Sequence, residues 1–408
     1  LSSLEDVHRV LPNTTELFDV VIIDEASQCD LASILPALQR AKRVVVVGDP
    51  KQLRHISFLS NSSQFHAAEE FGVSRELVEK YNFRDRSLMD LAIDQIDSQE
   101  QTGFLNEHYR SHYGIVSFSN KFFYQGALNI MRDRPWELGR GGGEHAGLIG
   151  HLSKNGKRNS KGVNEAEVAS ILDWIKQFLA KPSAEITKSL GIISPYRAQV
   201  DALTSAIFSE FSGGDLQRLQ REHGLLIGSA HSFQGEERDI MLMSLYVDEK
   251  VSHGSLRFLE REDVFNVSIT RARDEQHVFH SITPEHLKPD SLLAGYLHHI
   301  DTVVDACDTD QKEHDAFAKD VAAKLRAAGL KCELGLDVAS VAVDIVVHSK
   351  GKSTGIDLIG YPGDMRDAVH TRKAHMLSRA GLEIIPLGYL EWKLRESECL
   401  EAISQIAE

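Results

Sequence analysis

Two acids, Asp24 and Glu25, follow directly on an apolar run in the stretch VVIIDEASQCD, residues 20–30. A carboxylate in that place can hold a divalent ion on a phosphate, and the one after it can polarise an attacking water. A second apolar run, RVVVVG at 43–48, leads into GDPKQL at 48–53. Gly48 allows a tight turn there, Asp49 can reach the same metal region, and Gln52 offers an amide to a phosphate or a water. A second pair of acids stands far along the chain, Asp344 in VAVDIVV (341–347) and Asp357 in TGIDLIG (354–360). Two carboxylates on adjacent strands can share one divalent metal and activate water for phosphodiester cleavage.

Such groups need rigid elements behind them. The run before Asp24 reads as a strand buried on both faces of a parallel sheet, and acids at its C-terminal end sit where α/β proteins bind ligands. Further strands are expected at 190–194 (LGIIS), 225–230 (LLIGSA) and 239–245 (DIMLMSL), with helices between them such as 164–180. That alternation predicts an α/β fold with mostly parallel sheets. The glycine-rich stretch 138–164 reads as a loop-rich insertion. After residue 300 the pattern changes. An amphipathic helix over 314–330 carries Phe317, Val321 and Leu325 at four-residue spacing. Two strands flank the polar turn HSKGKS, then a helix around 365–380 and a strand at 382–387 follow, as in a separate α+β domain.

Bulk properties narrow the class. The 408 residues suffice for two or three cores. The net charge of -15 argues against a protein that coats DNA through a basic surface, but leaves room for a local basic groove. The four cysteines, Cys29, Cys307, Cys332 and Cys399, form no CxxC pair, so neither a zinc site nor a disulfide framework is expected, and a reducing cytosol is the default setting. No apolar run is long enough to span a bilayer, and the polar N-terminus carries no secretory signal.

DEASQ followed by GDPKQL resembles motifs II and III of superfamily 1 helicases, in the DEAxQ branch. The resemblance continues in family order with LNEHYRSH (105–112), FSNKFFYQGAL (118–128), ISPYRAQV (193–200), GSAHSFQGEERDIMLMS (228–244) and NVSITRAR (266–273). Singly, YRSH reads as surface charge and TRAR as a solvated helix face; seven such stretches in family order across 20–273 do not. The resemblance implies two RecA-like (P-loop NTPase) domains, ATP and Mg²⁺ as nucleotide and metal, and single-stranded DNA or RNA as partner. It implies catalytic roles for Asp24, Glu25, Gln52, Arg110 and Arg271, with Asp24 on the metal. Gln52, Arg110, Gly235, Glu237 and Arg271 would contact the nucleotide. Arginine fingers bring fixed, delocalised charge to a transferring phosphoryl group and act when two domains close. Ser194, Tyr196, Arg197, Ser229, His231 and Ser232 would face nucleic acid, with Tyr196 stacking on a base and the hydroxyls of Ser229 and Ser232 tracking phosphates without reading sequence.

Two departures from the family stand out. Arg54 and His55 occupy positions where the family commonly has two prolines, which bears on the loop after motif III. No Walker A motif precedes Asp24. The only GKST, residues 351–354, has Val346 in place of the first glycine and lies in a hairpin turn. It reads as an ordinary polar turn. The stretch before Asp24 resembles the family's residues just ahead of motif II, so the chain is expected to begin midway through the first RecA-like domain and, alone, to hydrolyse no ATP. The expected domains are 1–103, 104–302 and 308–408.

The last of these more weakly resembles the restriction-endonuclease-like tails of some bacterial helicases. That resemblance implies a second divalent metal held by Asp344 and Asp357, with Glu313 on the first helix. The lysine expected two residues after the second acid is Ile359 here; Arg372, Lys373 or His370 would have to substitute. Two readings therefore stand beside the motor: a binding module without turnover, and a metal-dependent nuclease for which the motor is a targeting device, as in a defence system.

Overall fold

The computed structural model describes residues 3–96, 101–132, 147–154, 156–181, 188–303, 314–348, 353–361, 369 and 371–407. The chain divides into two compact units, one of residues 1–105 with 257–267, the other of 106–256 with 268–408.

In the first unit, β1 (Val21–Ile23) runs parallel to β2 (Val44–Val46), with Val21 opposite Val44 and Ile22 opposite Val45. β-Branched residues suit this pleated pairing. The expectation of a strand buried on both faces is corrected here. Ile23 is 6% exposed and packs with Val7, Ala37 and Leu88 from three helices, whereas Ile22 is 68% exposed. Side chains alternate across a strand, and among the described residues only one face of this two-stranded sheet is covered. The helix Leu88–Gln95 starts with a reciprocal cap: Asp90 N–H donates to Ser87 Oγ, and Ser87 N–H donates to Asp90 Oδ2. Such a cap stabilises a helix by about 1 kcal/mol. The segment 257–267, expected within the second domain, belongs to this unit instead. Asn266 Nδ2 donates to the Lys51 carbonyl (2.9 Å), and Lys51 pairs with Glu262 (3.4 Å).

The second unit opens with a short parallel pair, β3 (Glu107–His108) and β4 (Asn129–Ile130). Its centre is a five-stranded sheet of β5 (Leu148–Leu152), β6 (Leu190–Ile193), β7 (Leu226–Gly228), β8 (Arg238–Ser244) and β9 (Ala272–His280). The strand order is β5-β9-β8-β6-β7 and every pairing is parallel. This is an α/β architecture around an all-parallel sheet, with helices Glu165–Ala180 and Arg197–Glu210 packing Ile171, Ile175, Leu203 and Ile207 against Leu190, Ile192 and Leu242. Strand β8 is buried from Ile240 to Ser244, so it reads as a continuous apolar run, as central parallel strands do. The β8–β9 register shifts between Arg238 and Ile240, and such irregularities can re-aim side chains beside functional sites.

The tail follows in the order helix Ala316–Ala327, β10 (Lys331–Val338), β11 (Val341–His348), β12 (Ser353–Ile359), helix Thr371–Arg379, β13 (Glu383–Gly388) and helix Tyr389–Ala407. β10, β11 and β12 form an antiparallel meander, and β13 adds parallel to β12. The helix expected around 365–380 is seen from Thr371; Glu313, His370 and residues 349–352 of the turn lie outside the described residues. Phe317, Val321, Leu325 and Trp392 cover one side of the sheet, and Leu377 and Leu382 the other. At Gly335 (φ +65°) the β10–β11 ladder skips one pair, and a Cβ there would meet the His314 ring at 2.3 Å. The tail shares a compact unit with residues 106–256, because Met131, 3% exposed after β4, is part of the tail's own core.

Candidate nucleotide, nucleic-acid and metal sites

In the first unit the two acidic loops meet. Asp24 and Glu25 follow β1, and both are exposed. Glu25 has left-handed backbone angles (φ +52°), a costly conformation for a residue with a Cβ and one that clusters at functional sites. Its N–H donates to Asp24 Oδ1 (2.9 Å), and Gln28 Nε2 donates to its Oε2 (3.0 Å). The Ala26 N–H reaches the Val47 carbonyl after β2, which ties the two strand ends together. Gly48 is needed because a Cβ there would lie 3.0 Å from the Ala26 nitrogen. Asp49 accepts from the Lys51 N–H and from Gln52 Nε2, each at 2.9 Å. Where the family commonly has prolines, His55 holds the loop: its N–H donates to the Ser27 carbonyl, and its Nε2 lies 2.8 Å from the Phe83 carbonyl. The sequence-predicted set Asp24, Glu25 and Gln52 is thus gathered on two adjacent strand ends, with the hard oxygen donors that suit Mg²⁺.

In the second unit, Glu237 joins two guanidiniums. Arg110 follows β3 and pairs with Glu237, which also accepts from Arg273 Nε at 2.7 Å. Burial would raise the Glu237 carboxyl, but the Arg273 hydrogen bond and the Arg110 charge outweigh it and hold it below its ordinary value. His108 is pushed down to about 4 by burial and by the charges of Arg110 and Arg132, so it is neutral, and its Nε2 accepts the Ser111 N–H (3.0 Å). Gly235 is exposed with φ +73°, and a Cβ there would meet nothing within 4 Å. Arg271 is 3% exposed, whereas the Arg273 side chain, paired with Glu237, is 45% exposed. The sequence reading passed over Arg273, although it lies in the same TRAR.

The candidate nucleic-acid residues are split. Ser194, expected to face nucleic acid, is fully buried in this structure. Tyr196 is half-buried, its ring centroid 4.2 Å from that of Tyr246, and its hydroxyl donates to the Ser255 carbonyl (2.6 Å). Burial raises that phenol to about 12. The ring expected to stack on a base has a protein ring, that of Tyr246, against it in this structure. Arg197 is exposed and pairs with Asp201 (3.0 Å). Ser229, His231 and Ser232 lie on the turn after β7, with Ser232 exposed and the other two half-buried.

A buried polar network was missed altogether. Glu167 is fully buried; its Oε2 accepts from Ser244 Oγ (2.6 Å) and Tyr246 N–H (2.8 Å), and its Oε1 from Asn164 Nδ2 (3.0 Å) and Ser281 Oγ (3.1 Å). Burial still dominates and pushes the carboxyl up to about 7. The signal was present in the sequence as Asn164 three residues before Glu167, a helix-capping pattern.

In the tail, continuing the β11–β12 register one step past Ile345 and Ile356 sets Asp344 opposite Asp357. Directly opposed residues share a face of the sheet. The Leu358 N–H donates to Asp344 Oδ2 (2.8 Å), and the Val369 N–H to Asp357 Oδ2 (2.7 Å). Asp357 is 7% exposed, and burial, followed by the nearby Asp344 charge, raises its carboxyl. Arg372 and Lys373 are exposed on the helix beyond. Among the described residues no three metal-ligating side chains cluster, and no helix is long and apolar enough to cross a membrane.

Residues 3–58 and 84–281 each match a family model described as an AAA domain. The chain is 28% identical over 298 residues to an uncharacterized ATP-dependent helicase of Mycoplasma pneumoniae, covering 68% of this chain and 24% of that protein. It is 30% identical over 280 residues to helicase SEN1 of Saccharomyces cerevisiae, covering 65% and 11%. It is 26% identical over 301 residues to helicase sen1 of Schizosaccharomyces pombe, covering 70% and 16%. The chain thus spans a quarter or less of the length of these relatives.

Proposed function

We propose that this chain, whose residues 3–58 and 84–281 carry the AAA domains of the superfamily 1 helicases, is part of an ATP-dependent translocase on single-stranded DNA or RNA. Its turnover would be coupled to strand separation. The observation that carries this reading is the meeting of Asp24, Glu25, Asp49 and Gln52 on the ends of two adjacent parallel strands. Asp24 would hold Mg²⁺, which on a bound triphosphate neutralises charge and orients the phosphates. Glu25 would accept a proton from, and so orient, the attacking water, and Gln52 would sense the γ-phosphate through its amide. Arg110 and Arg273, held in place by Glu237, would stabilise the charge that develops on the transferred phosphoryl group, with Arg271 as the third guanidinium of the set. Arg197 and the turn Ser229–Ser232 would meet the nucleic-acid backbone.

The 408 residues include no glycine-rich loop with a lysine ahead of Asp24, so the chain alone would hold a triphosphate poorly. The test is phosphate release, with and without single-stranded nucleic acid, from this chain and from the chain extended by whatever its gene encodes before Leu1. The extended chain is expected to show stimulated hydrolysis, lost on Glu25→Gln with nucleotide binding kept. Robust hydrolysis by residues 1–408 that survives Glu25→Gln would put the active site elsewhere.

For the tail, the reading is a restriction-endonuclease-like domain. Its support is the helix–meander–helix–strand order and the opposition of Asp344 and Asp357, which would share a second divalent ion.

A further inference from the structure

The tail grips the strand pair from which Arg110 emerges. Arg379, at the end of the tail helix Thr371–Arg379, donates through both Nε and Nη2 to the two carboxylate oxygens of Glu107 on β3. The Tyr109 hydroxyl donates to the same carboxylate at 2.6 Å. A two-point guanidinium–carboxylate contact fixes orientation as well as distance. Just after the neighbouring strand, Met131 is buried among Leu336, Val338, Val343, Leu377 and Leu382, all tail residues. Its N–H donates to the His108 carbonyl (2.9 Å), and the next residue, Arg132, donates to the carbonyl of Arg110 itself and pairs with Asp274. The strand that leads into Arg110 and the segment after β4 that bonds back to its carbonyl are therefore both anchored in the tail, one by charge and one by apolar burial.

We propose that the tail positions Arg110 for phosphoryl transfer, with Arg379, Glu107 and Met131 as positioning residues; this rests on Arg110 acting in ATP turnover as proposed above. A guanidinium that must meet a developing charge loses most of its effect when displaced by a fraction of its own length. Neither Arg379 nor Glu107 touches substrate in this scheme. Loss of the latch lowers kcat and leaves KM and nucleic-acid affinity unchanged.

The test has two stages. In the 408-residue chain, hydrogen exchange in peptides covering 105–112 and 128–132 rises on Arg379→Glu, while the tail strand 341–347 keeps its protection. Combining Arg379→Glu with Glu107→Arg restores protection, because the pair is rebuilt with its charges exchanged. In the extended chain, Arg379→Glu lowers kcat by about tenfold, Arg379→Lys less, and the double reversal recovers most of the rate. Unchanged exchange at 105–112, or changed exchange with an unchanged kcat, overturns the latch. Arg110→Ala separates the two ideas. If Arg110→Ala leaves hydrolysis intact, the role of Arg110 is what fails; if it abolishes hydrolysis while Arg379→Glu does not slow it, the latch alone fails.

Discussion

Glu237 accepts a hydrogen bond from Arg273 while it pairs with Arg110, so one carboxylate sets the orientation of two cations that leave different strands. Its acidity is a direct reading of that arrangement. A carboxyl depressed in the folded state stabilises the fold above its unfolded pKa, about 4.3, and that stability is lost as pH falls through the folded value. Arg273→Gln is expected to return the Glu237 titration toward the ordinary range, as followed by carbon NMR of the glutamate side chains. It also weakens the acid dependence of unfolding. A Glu237 titration that does not move would mean that the Arg273 contact carries no charge coupling.

Glu167 behaves in the opposite sense. Its folded value is raised to about 7. A raised carboxyl favours the folded state most at low pH, and that contribution is lost as pH rises from about 4.3 to about 7. The full swing is on the order of 3 kcal/mol. Glu167→Gln removes the titration but turns an amide N–H₂ toward donors, so the variant is weaker overall. The diagnostic is the slope: urea unfolding at pH 5 and pH 8 should show wild type losing stability relative to Glu167→Gln over that interval. Parallel pH profiles would show that Glu167 stays ionised throughout.

Much of the site was legible because its residues sit on strand ends. Runs of β-branched residues that end in Asp24 and Asp49 leave the two acidic loops little freedom, and the register of β1 and β2 does the rest. YRSH drew attention to Arg110, but the anchorage of its strand to a helix some 270 residues later was not legible, since no local pattern connects Glu107 to Arg379. Tyr196 shows a neighbour that the sequence did not reveal. An aromatic in a loop can stack on a base or on another ring, and only the neighbour decides; here the neighbour is Tyr246. Ile22 misled for a different reason. An apolar run says that a strand is apolar on both faces, and says nothing of whether something covers each face.

That uncovered face makes a further prediction. Ile22 and Val45 are opposite one another in register, 68% and 46% exposed. Apolar patches of this kind promote association when they are contiguous. The double variant Ile22→Thr, Val45→Thr keeps β-branching and hence strand preference. It is expected to change stability by less than about 1 kcal/mol, as exposed substitutions do, and to reduce concentration-dependent self-association in sedimentation velocity. Identical sedimentation of the two proteins across concentrations would remove any role for this face in association of the isolated chain.

The opposition of Asp344 and Asp357 gives the last prediction. Burial first, and then the charge of Asp344, raise the Asp357 carboxyl above its ordinary value. Stability tied to that proton is present at low pH and is lost as pH rises through the raised value. Asp357→Asn keeps an oxygen that can accept the Val369 N–H and removes the charge, so in the absence of metal the variant should unfold at a higher temperature than wild type at pH 8, by a few degrees. A divalent ion reverses the ranking. Mn²⁺ added to the wild-type chain should raise its melting temperature, because anything that binds only the folded form stabilises it, and the rise should vanish in Asp357→Asn and in Asp344→Asn. Cleavage is a separate matter from binding. Ile359 stands where a lysine would steady the attacking water or the developing charge, so Mn²⁺ binding without nicking of DNA or RNA is the expected outcome for wild type. Ile359→Lys then becomes the informative variant. If it gains metal-dependent nicking that Asp357→Asn abolishes, the two acids form a site that lacks only its cation. If wild type binds no Mn²⁺ by calorimetry, the two carboxylates are a strained structural pair and the tail has no metal chemistry at this position.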